Sequence, residues 1–275
     1  MRRAAPDERG PGQDRGAALR PLLGIEAAAT PTRVRDARLG ARDGDLVSGD
    51  PLERPVWSAL TTRQAKLAQG DRRAVRFEAA YGAFAAAADA SRESQSALAA
   101  LPHDRNGLIL VETTVQQAPE GMEVIFTASC VQMVDEADVA DARPAFDVLS
   151  LSDDDAPEML ALATLTRPGP FFERTHQLGP FIGVRVAGKL VAMAGERMQP
   201  EGFAELSGVC VHPDHRGKGY AAALSSIVAR RISARGETPF LHAMADNRTA
   251  IRLYDQLGFT HRRDVVLTVL RNRRV

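Results

Sequence analysis

The sequence predicts a mixed α/β fold of the α+β kind, with helices flanking a central sheet and a smaller α/β lobe placed before it. Three observations carry this expectation. Some segments repeat apolar residues at helical spacing and others are short β-branched runs. The two kinds interleave through the second half of the chain. An acidic, proline-containing stretch, "VDEADVADARPAF", separates the earlier elements from the later ones.

Composition sets the limits. The 275 residues, 44% hydrophobic and 25% charged, suffice for a full core in one large or two modest domains. The 35 basic residues balance the 35 acidic ones, so overall charge draws the chain to neither nucleic acid nor an anionic membrane. Any specificity must reside in a local site. The two cysteines, Cys130 and Cys210, stand far apart without metal-ligand spacing, so neither a disulfide framework nor a metal site is expected. No apolar run approaches the roughly 20 residues of a membrane span, and the arginine-dotted start lacks a signal peptide's apolar stretch. A cytoplasmic location is expected.

Residues 1–50 read as a disordered leader: the first 45 hold nine arginines, seven acidic residues, several Gly and Pro, and no period of 2 or 3.6. A shorter product beginning at Val47 is compatible with that reading. Residues 51–140 read as the small α/β lobe, of unknown function. In it "VWSALTTRQAKLA" and "FEAAYGAFAAAADA" have helical spacing, while "GLILVETT" and "MEVIFTASCVQM" read as strands. Trp57, Tyr81 and Phe84, aromatic residues at helical spacing, are expected in the core rather than lining a ligand cavity.

Residues 145–275 are the main domain. "FDVLSL" is a strand, and Ser152 before three aspartates and Pro157 is a helix start, with negative charge where the helix dipole favours it. "APEMLALATL" continues that helix and "RPGPFFERTHQLG" breaks it. "FIGVRV" and "KLVAMAGERM" flank Ala187 and Gly188 as a hairpin, and "FAELSGVCV" is the next strand. A helix from about Lys218 to Arg235 places Leu224, Ile227, Val228 and Ile232 on one face. "PFLHAMA" is a strand, "NRTAIRLYDQL" a helix stopped by Gly258, and "DVVLTVL" the last strand.

The chemically informative stretch is "HPDHRGKGYAAAL". A strand ending at Val211 delivers a glycine-bearing loop to a helix start, where backbone N–H groups converge and the dipole is positive. That combination is a phosphate cradle, with charge added by Arg216 and Lys218, and Gly217 and Gly219 removing side chains that would obstruct the amides. "GKGYAA" also meets a dinucleotide pattern, G-x-G-x-x-A. His212 to Arg216, however, separate strand from glycine, and Glu237 precedes the next strand instead of ending it. A Walker A loop fails because no Ser or Thr follows Lys218.

With "VCVHPDHRGKGYA" and, later, "ADNRTAIRLYDQLGF", the chain resembles the GNAT superfamily of N-acetyltransferases from about Phe146 to Arg271. The first block meets that superfamily's R/Q-x-x-G-x-G/A signature through Arg216, Gly219 and Ala221. The second resembles its Asn-led helix carrying a Tyr and ending in Gly-Phe. The resemblance implies a mixed, mostly antiparallel sheet and transfer of acetyl from acetyl-CoA, as co-substrate, to an amine of an unidentified small molecule or peptide. It implies that Val209, Cys210 and Val211 pair with pantetheine. Gly217, Lys218, Gly219, Tyr220, Ala221 and Ala222, with Arg216, would hold the pyrophosphate, and Asn247 would approach the pantetheine. Tyr254 would protonate the departing thiolate, and Glu205 is the first candidate for the base, with Glu196 and His242 as alternatives. Cys210, within an apolar strand, is expected to be a small buried side chain rather than an acyl carrier. Glu196, Glu205 and Asp246 are candidates for attracting a cationic amine, and Phe171 and Phe172 for the acceptor loop. The alternative function is a non-catalytic acyl-CoA-binding sensor or interaction module.

Overall fold

The computed structural model describes residues 49–104, 106–135 and 144–273. Residues 1–48 of the expected leader and 136–143 of the expected linker lie outside the described residues.

Helix α1 (Pro55–Thr61) opens with proline in its first turn, where a missing N–H costs nothing. It is shorter than the apolar spacing predicts. Thr61 and Thr62 turn their hydroxyls back to the carbonyls of Trp57 and Ser58, and the chain passes into a 3-10 turn at Ala65–Leu67. Strands β1 (Ala68–Gly70), β2 (Ala74–Phe77) and β3 (Ala85–Ala87) form a small antiparallel sheet. The expected helix over "FEAAYGAFAAAADA" is therefore not formed. Its alanines fit a helix period, but Glu78–Gly82 turns instead, and Ala85–Ala87 are wholly buried as a strand. Packing overrides propensity here: Ala74, Ala85 and Ala87 are small enough for Leu98 and Leu101 to lie directly on them. Those leucines belong to and follow helix α2 (Arg92–Ala100), an element the sequence reading missed, which is capped by the Ser91 hydroxyl accepting from the Ser94 N–H.

Strands β4 (Leu108–Glu112) and β5 (Met122–Val134) come next, then β6 (Leu149–Leu151). Helix α3 (Ala156–Thr166) follows a cap in which the Asp155 carboxylate accepts from the Ser152 N–H. The hairpin β7 (Phe181–Val186) and β8 (Lys189–Glu196) turns through Ala187 and Gly188, both at positive φ, 49° and 79°, as a tight two-residue turn requires. Strand β9 (Phe203–Val211), helix α4 (Tyr220–Ser233), strand β10 (Thr238–Met244), helix α5 (Arg248–Leu257) and strand β11 (Thr260–Asn272) complete the described chain.

The large sheet has eight strands in the order β4-β11-β5-β10-β9-β8-β7-β6, antiparallel throughout except between β9 and β10. Thus β4 and β5, expected in a lobe of their own, are strands of the main sheet, with β5 inserted between β10 and β11. Only the three short strands stand apart, and even these are tied in by the Ile109 N–H donating to the Ala83 carbonyl. The core lies on both faces of the sheet. Leu224, Val228, Ile232 and Tyr254 fill one side under α4 and α5. Leu52, Val56, Phe77, Phe84 and Phe240 fill the other, under the N-terminal elements. Tyr81 and Phe84 are buried there and Trp57 packs against that cluster, so all three belong to the core as expected, although Tyr81 lies in a turn and Phe84 in a single bridge to Ile109 and not on a helix.

Candidate functional site

The parallel pair β9 and β10 creates the opening on which the site is built. Their pairing covers only Phe203–Glu205 against Thr238–Phe240. Beyond that point β10 continues along β5 as far as Cys130, and β9 continues along β8 as far as Ala192. The two strands therefore part, and the last six residues of β9 turn an edge without a strand partner toward the gap. The pairing of β9 with β8 is itself irregular between Met193 and Gly195, where Gly208 adopts φ +64°. A bulge there re-aims the backbone of Gly208 and Val209. Glycine is required twice over, since an added Cβ would stand 2.8 Å from Phe181 Cε1. Gly208→Ala is expected to lower stability by about 1–3 kcal/mol, measured by urea denaturation; an unchanged midpoint would remove this reading of the bulge.

At the open end of β9, His212 Nδ1 accepts from the Asp214 N–H at 3.3 Å and starts a 3-10 turn at Pro213–His215. Gly217 and Gly219 follow at φ +74° and +78°, and α4 begins at Tyr220. The N–H groups of Tyr220, Ala221 and Ala222 come before the first helical hydrogen bond, from Ala223 to Gly219, and no acidic residue occupies the first turn. Arg216 and Lys218 are exposed beside them. A Cβ on Gly217 or Gly219 would meet no protein atom within 4 Å, so the space before these amides is open. A pyrophosphate fits such a surface on charge and on shape. Tyr220 differs from expectation in one respect: its ring is buried edge-on to Phe146, centroids 4.7 Å apart, which leaves only its backbone N–H to the cradle.

Val209 and Val211 pack toward α4, while Cys210 is buried on the other face among Met159, Leu162, Phe171 and Phe181. Burial pushes the Cys210 thiol up to about 12, which suits packing and not nucleophilic attack. Asn247 caps α5, its Oδ1 accepting from the Ala250 N–H at 3.1 Å, so this side chain has a structural duty. Tyr254 lies under α4 and α5, 8% exposed, edge-on to Phe259. Burial raises its pKa and the neighbouring Cys210 adds to the effect, so the phenol keeps its proton at neutral pH.

The acidic candidates are arranged otherwise than the sequence suggests. Glu205 is fully buried and grips Arg197 in a fork, with Nε to Oε2 and Nη2 to Oε1 both at 2.8 Å. Its Oε1 also accepts from His242 Nδ1 at 2.9 Å. Burial alone would raise the pKa, but the charge and hydrogen bonds of Arg197, then those of His242, hold it down to about 2. A carboxylate so acidic is a poor proton acceptor, which argues against Glu205 as the base. Glu196 differs: burial raises its pKa against the pull of Arg235, whose two terminal nitrogens hold it at 3.0 and 2.8 Å, and it stands on β8 opposite Leu206, where β9 and β10 begin to part. Of the three acids considered for attracting an amine, only Asp246 is exposed, just past the end of β10. Phe171 is core, edge-on to Phe181, and Phe172 packs against the N-terminal elements. Sequence reasoning missed Arg197 and Gln132 altogether. Their signal was faint: an arginine just past a strand end and a glutamine inside an apolar strand.

Comparison with known proteins agrees with this geometry. The FR47-like protein family model matches residues 181–267, from β7 into β11. A solved structure from Novosphingobium aromaticivorans, assigned to the GNAT family of acetyltransferases, is 41% identical, covers 82% of this chain and 100% of its own, and superposes with a TM-score of 0.78. The chain belongs to the GNAT family. Its large, mostly antiparallel sheet and flanking helices are thus a GNAT fold, and its enzyme class is acetyltransferase. A GCN5-related N-acetyltransferase-like protein from Streptococcus suis shares the fold at 17% identity, with a TM-score of 0.53 over 79% of this chain and 92% of that one. Mycothiol acetyltransferase from Streptomyces avermitilis is 38% identical over 68 residues, 24% of this chain and 22% of that protein. The match spans about a fifth of that relative's length.

Proposed function

We propose that this GNAT protein transfers an acetyl group from acetyl-CoA to a primary amine by direct attack. The observation that carries the reading is the alignment of two features: a cradle of helix N–H groups at Gly217–Ala222 and, leading from it, the unpaired edge of β9. A pyrophosphate on the cradle directs an attached amide-bearing arm along that edge, where it hydrogen-bonds as an added strand. The acyl group then reaches the point where β9 and β10 part. There a β9 backbone N–H stabilises the oxyanion, and the buried, protonated Tyr254 supplies the proton to the departing thiolate. Val209 and Val211 flank the arm. Arg216 and Lys218 add charge to the phosphates.

Calorimetric titration of acetyl-CoA, CoA and NAD into the protein tests the ligand class. Saturable binding of the first two and none of NAD is expected; folded protein that binds neither CoA species overturns the proposal. A separate measurement addresses Tyr254. Tyr254→Phe is expected to lower kcat by about 10- to 100-fold, within the range of general acid catalysis, with little change in acetyl-CoA affinity. Near-normal turnover would leave the phenol a packing residue only.

A further inference from the structure

Arg197 has one side of its guanidinium in use and the other open. Nε and Nη2 make the fork on Glu205, both at 2.8 Å, while Nη1 makes no hydrogen bond among the described residues. A guanidinium offers two bidentate edges, Nε with Nη2 and Nη1 with Nη2, so the second edge is left without an acceptor. The group is nevertheless fixed. Its Cζ sits over the ring of Phe84, 4.6 Å from the centroid, and the Arg197 carbonyl accepts from Gln64 Nε2 at 2.8 Å. The side chain is 11% exposed, so most of it is buried and a small part meets solvent. Donors held in place like this lose little side-chain freedom when they bind an oxygen.

The position of Arg197 in the sheet puts that open side beside the reaction point. Its N–H donates to the Glu205 carbonyl, and Glu205 is the last residue of β9 paired with β10. Side chains alternate along a strand, so Arg197 continues the row of Met193 and Gly195, on the face away from α4 and α5. Gly195 stands opposite Ser207, one residue before the Gly208 bulge, and two residues of strand, about 7 Å, separate Gly195 from Arg197. The loop between α3 and β7 comes down over the same spot. A Cβ on Gly169 would have Nη1, at 4.0 Å, as its one neighbour within that distance among the described residues, so the space between the loop and the open side of Arg197 is unfilled. Two residues on, Phe171 packs on Phe181 and would lie 3.8 Å from a Cβ on Gly208. The loop thus reaches from Nη1 to the bulge of β9 within two residues of chain.

We propose that the open side of Arg197 is a specificity site for the acceptor, and that the acceptor is an amine carrying a carbonyl-type oxygen, of a carboxylate or an amide, as an amino acid or a peptide N-terminus does. The inference rests on the acetyl-transfer reading above and names the substrate class for the same site. The oxygen accepts from Nη1, or from Nη1 and Nη2 together, in the slot under Gly169, and this turns the amine nitrogen toward the thioester at the bulge. Glu205 already balances the charge of Arg197, so the slot adds little long-range attraction. What it adds is a pair of directed donors, which an alkylamine or a polyamine cannot use. A side chain at position 169 would stand over Nη1 and close the slot.

The test measures thiol release from acetyl-CoA by the full chain with three matched pools: the common amino acids, their carboxamides, and the amines that remain when the carboxylate is removed. One of the first two pools is expected to exceed the third by about 10-fold or more in apparent kcat/KM per unprotonated amine, as one hydrogen bond to a charged donor supplies. Whichever of the two wins tells carboxylate from amide. Two variants locate the effect. Arg197→Lys keeps a cation facing Glu205 but has no second donor edge, and Gly169→Ala covers Nη1 while leaving the ion pair intact. In both, the preference for the best oxygen-bearing amine over its oxygen-free counterpart should fall toward unity, chiefly through KM for the amine, with acetyl-CoA affinity by calorimetry unchanged. A merely structural role for Arg197 would lower the rates with both amines alike and leave the preference in place. Wild-type protein that binds acetyl-CoA yet acetylates the oxygen-free amines as well as the others, or acetylates neither of the first two pools, overturns the inference while the transferase reading stands. A preference that survives in both variants overturns it too. Failure of the wild type to bind acetyl-CoA removes the transferase reading as well.

Discussion

Arg197→Met is expected to destabilise the protein by about 3–5 kcal/mol, the range found when one partner of a buried ion pair is removed. Methionine fills much of the space, so the loss is chiefly electrostatic: a fully buried carboxylate, Glu205, is left with the His242 ring and the Met198 N–H at 3.3 Å as its remaining donors. The pH dependence gives a second, independent signature. The pKa of Glu205 in the folded protein is depressed to about 2 from an ordinary 4.5. Its contribution is therefore fully present above the unfolded value and is lost as pH falls from about 4.5 toward about 2, a change on the order of 3 kcal/mol in the wild type. In Arg197→Met that acid-side loss should shrink, because the depression depends first on Arg197. Urea denaturation at pH 7 and at pH 3.5 measures both effects. A variant as stable as wild type at pH 7, with the same acid-side slope, would show that the ion pair contributes nothing net.

The reasons for legibility differ from residue to residue. Gly219, Gly217 and Asn247 act through their own backbone or their nearest neighbours, so a local pattern announces them. The Ala187-Gly188 turn and the Ser152 cap belong to the same class. Glu205 was visible as an acid inside an apolar strand, but its state depends on Arg197 from the neighbouring strand's end and His242 from a strand 37 positions on. Those distances in sequence carry no local signal. The alanine run near residue 80 misled for a related reason: its period suits a helix, yet leucines of α2 and of the segment after it need a surface of small side chains, and the strand supplies one. The insertion of β5 between β10 and β11 is a matter of sheet register, and no single strand's pattern specifies its partners.

Gly219→Val is expected to weaken acetyl-CoA binding about 100-fold or more, a change of about 2.8 kcal/mol. Two effects of the substitution have to be separated. Gly219 sits at φ +78°, where a β-branched residue is strained by about 1–2 kcal/mol or more whatever surrounds it. The new side chain would meet no protein atom within 4 Å, so the rest of its bulk stands in the open space before the helix amides. Gly188→Val isolates the second effect. That glycine has φ +79°, also without a protein atom within 4 Å of an added Cβ, but it lies in the β7-β8 hairpin turn. Both variants should lose similar stability in the absence of ligand. Acetyl-CoA at about 100 times the wild-type Kd should then stabilise wild type and Gly188→Val by about 2.7 kcal/mol, and Gly219→Val hardly at all. If all three proteins gained equally in thermal melts, the phosphate would be bound elsewhere, and the glycines of the loop would serve only its turn.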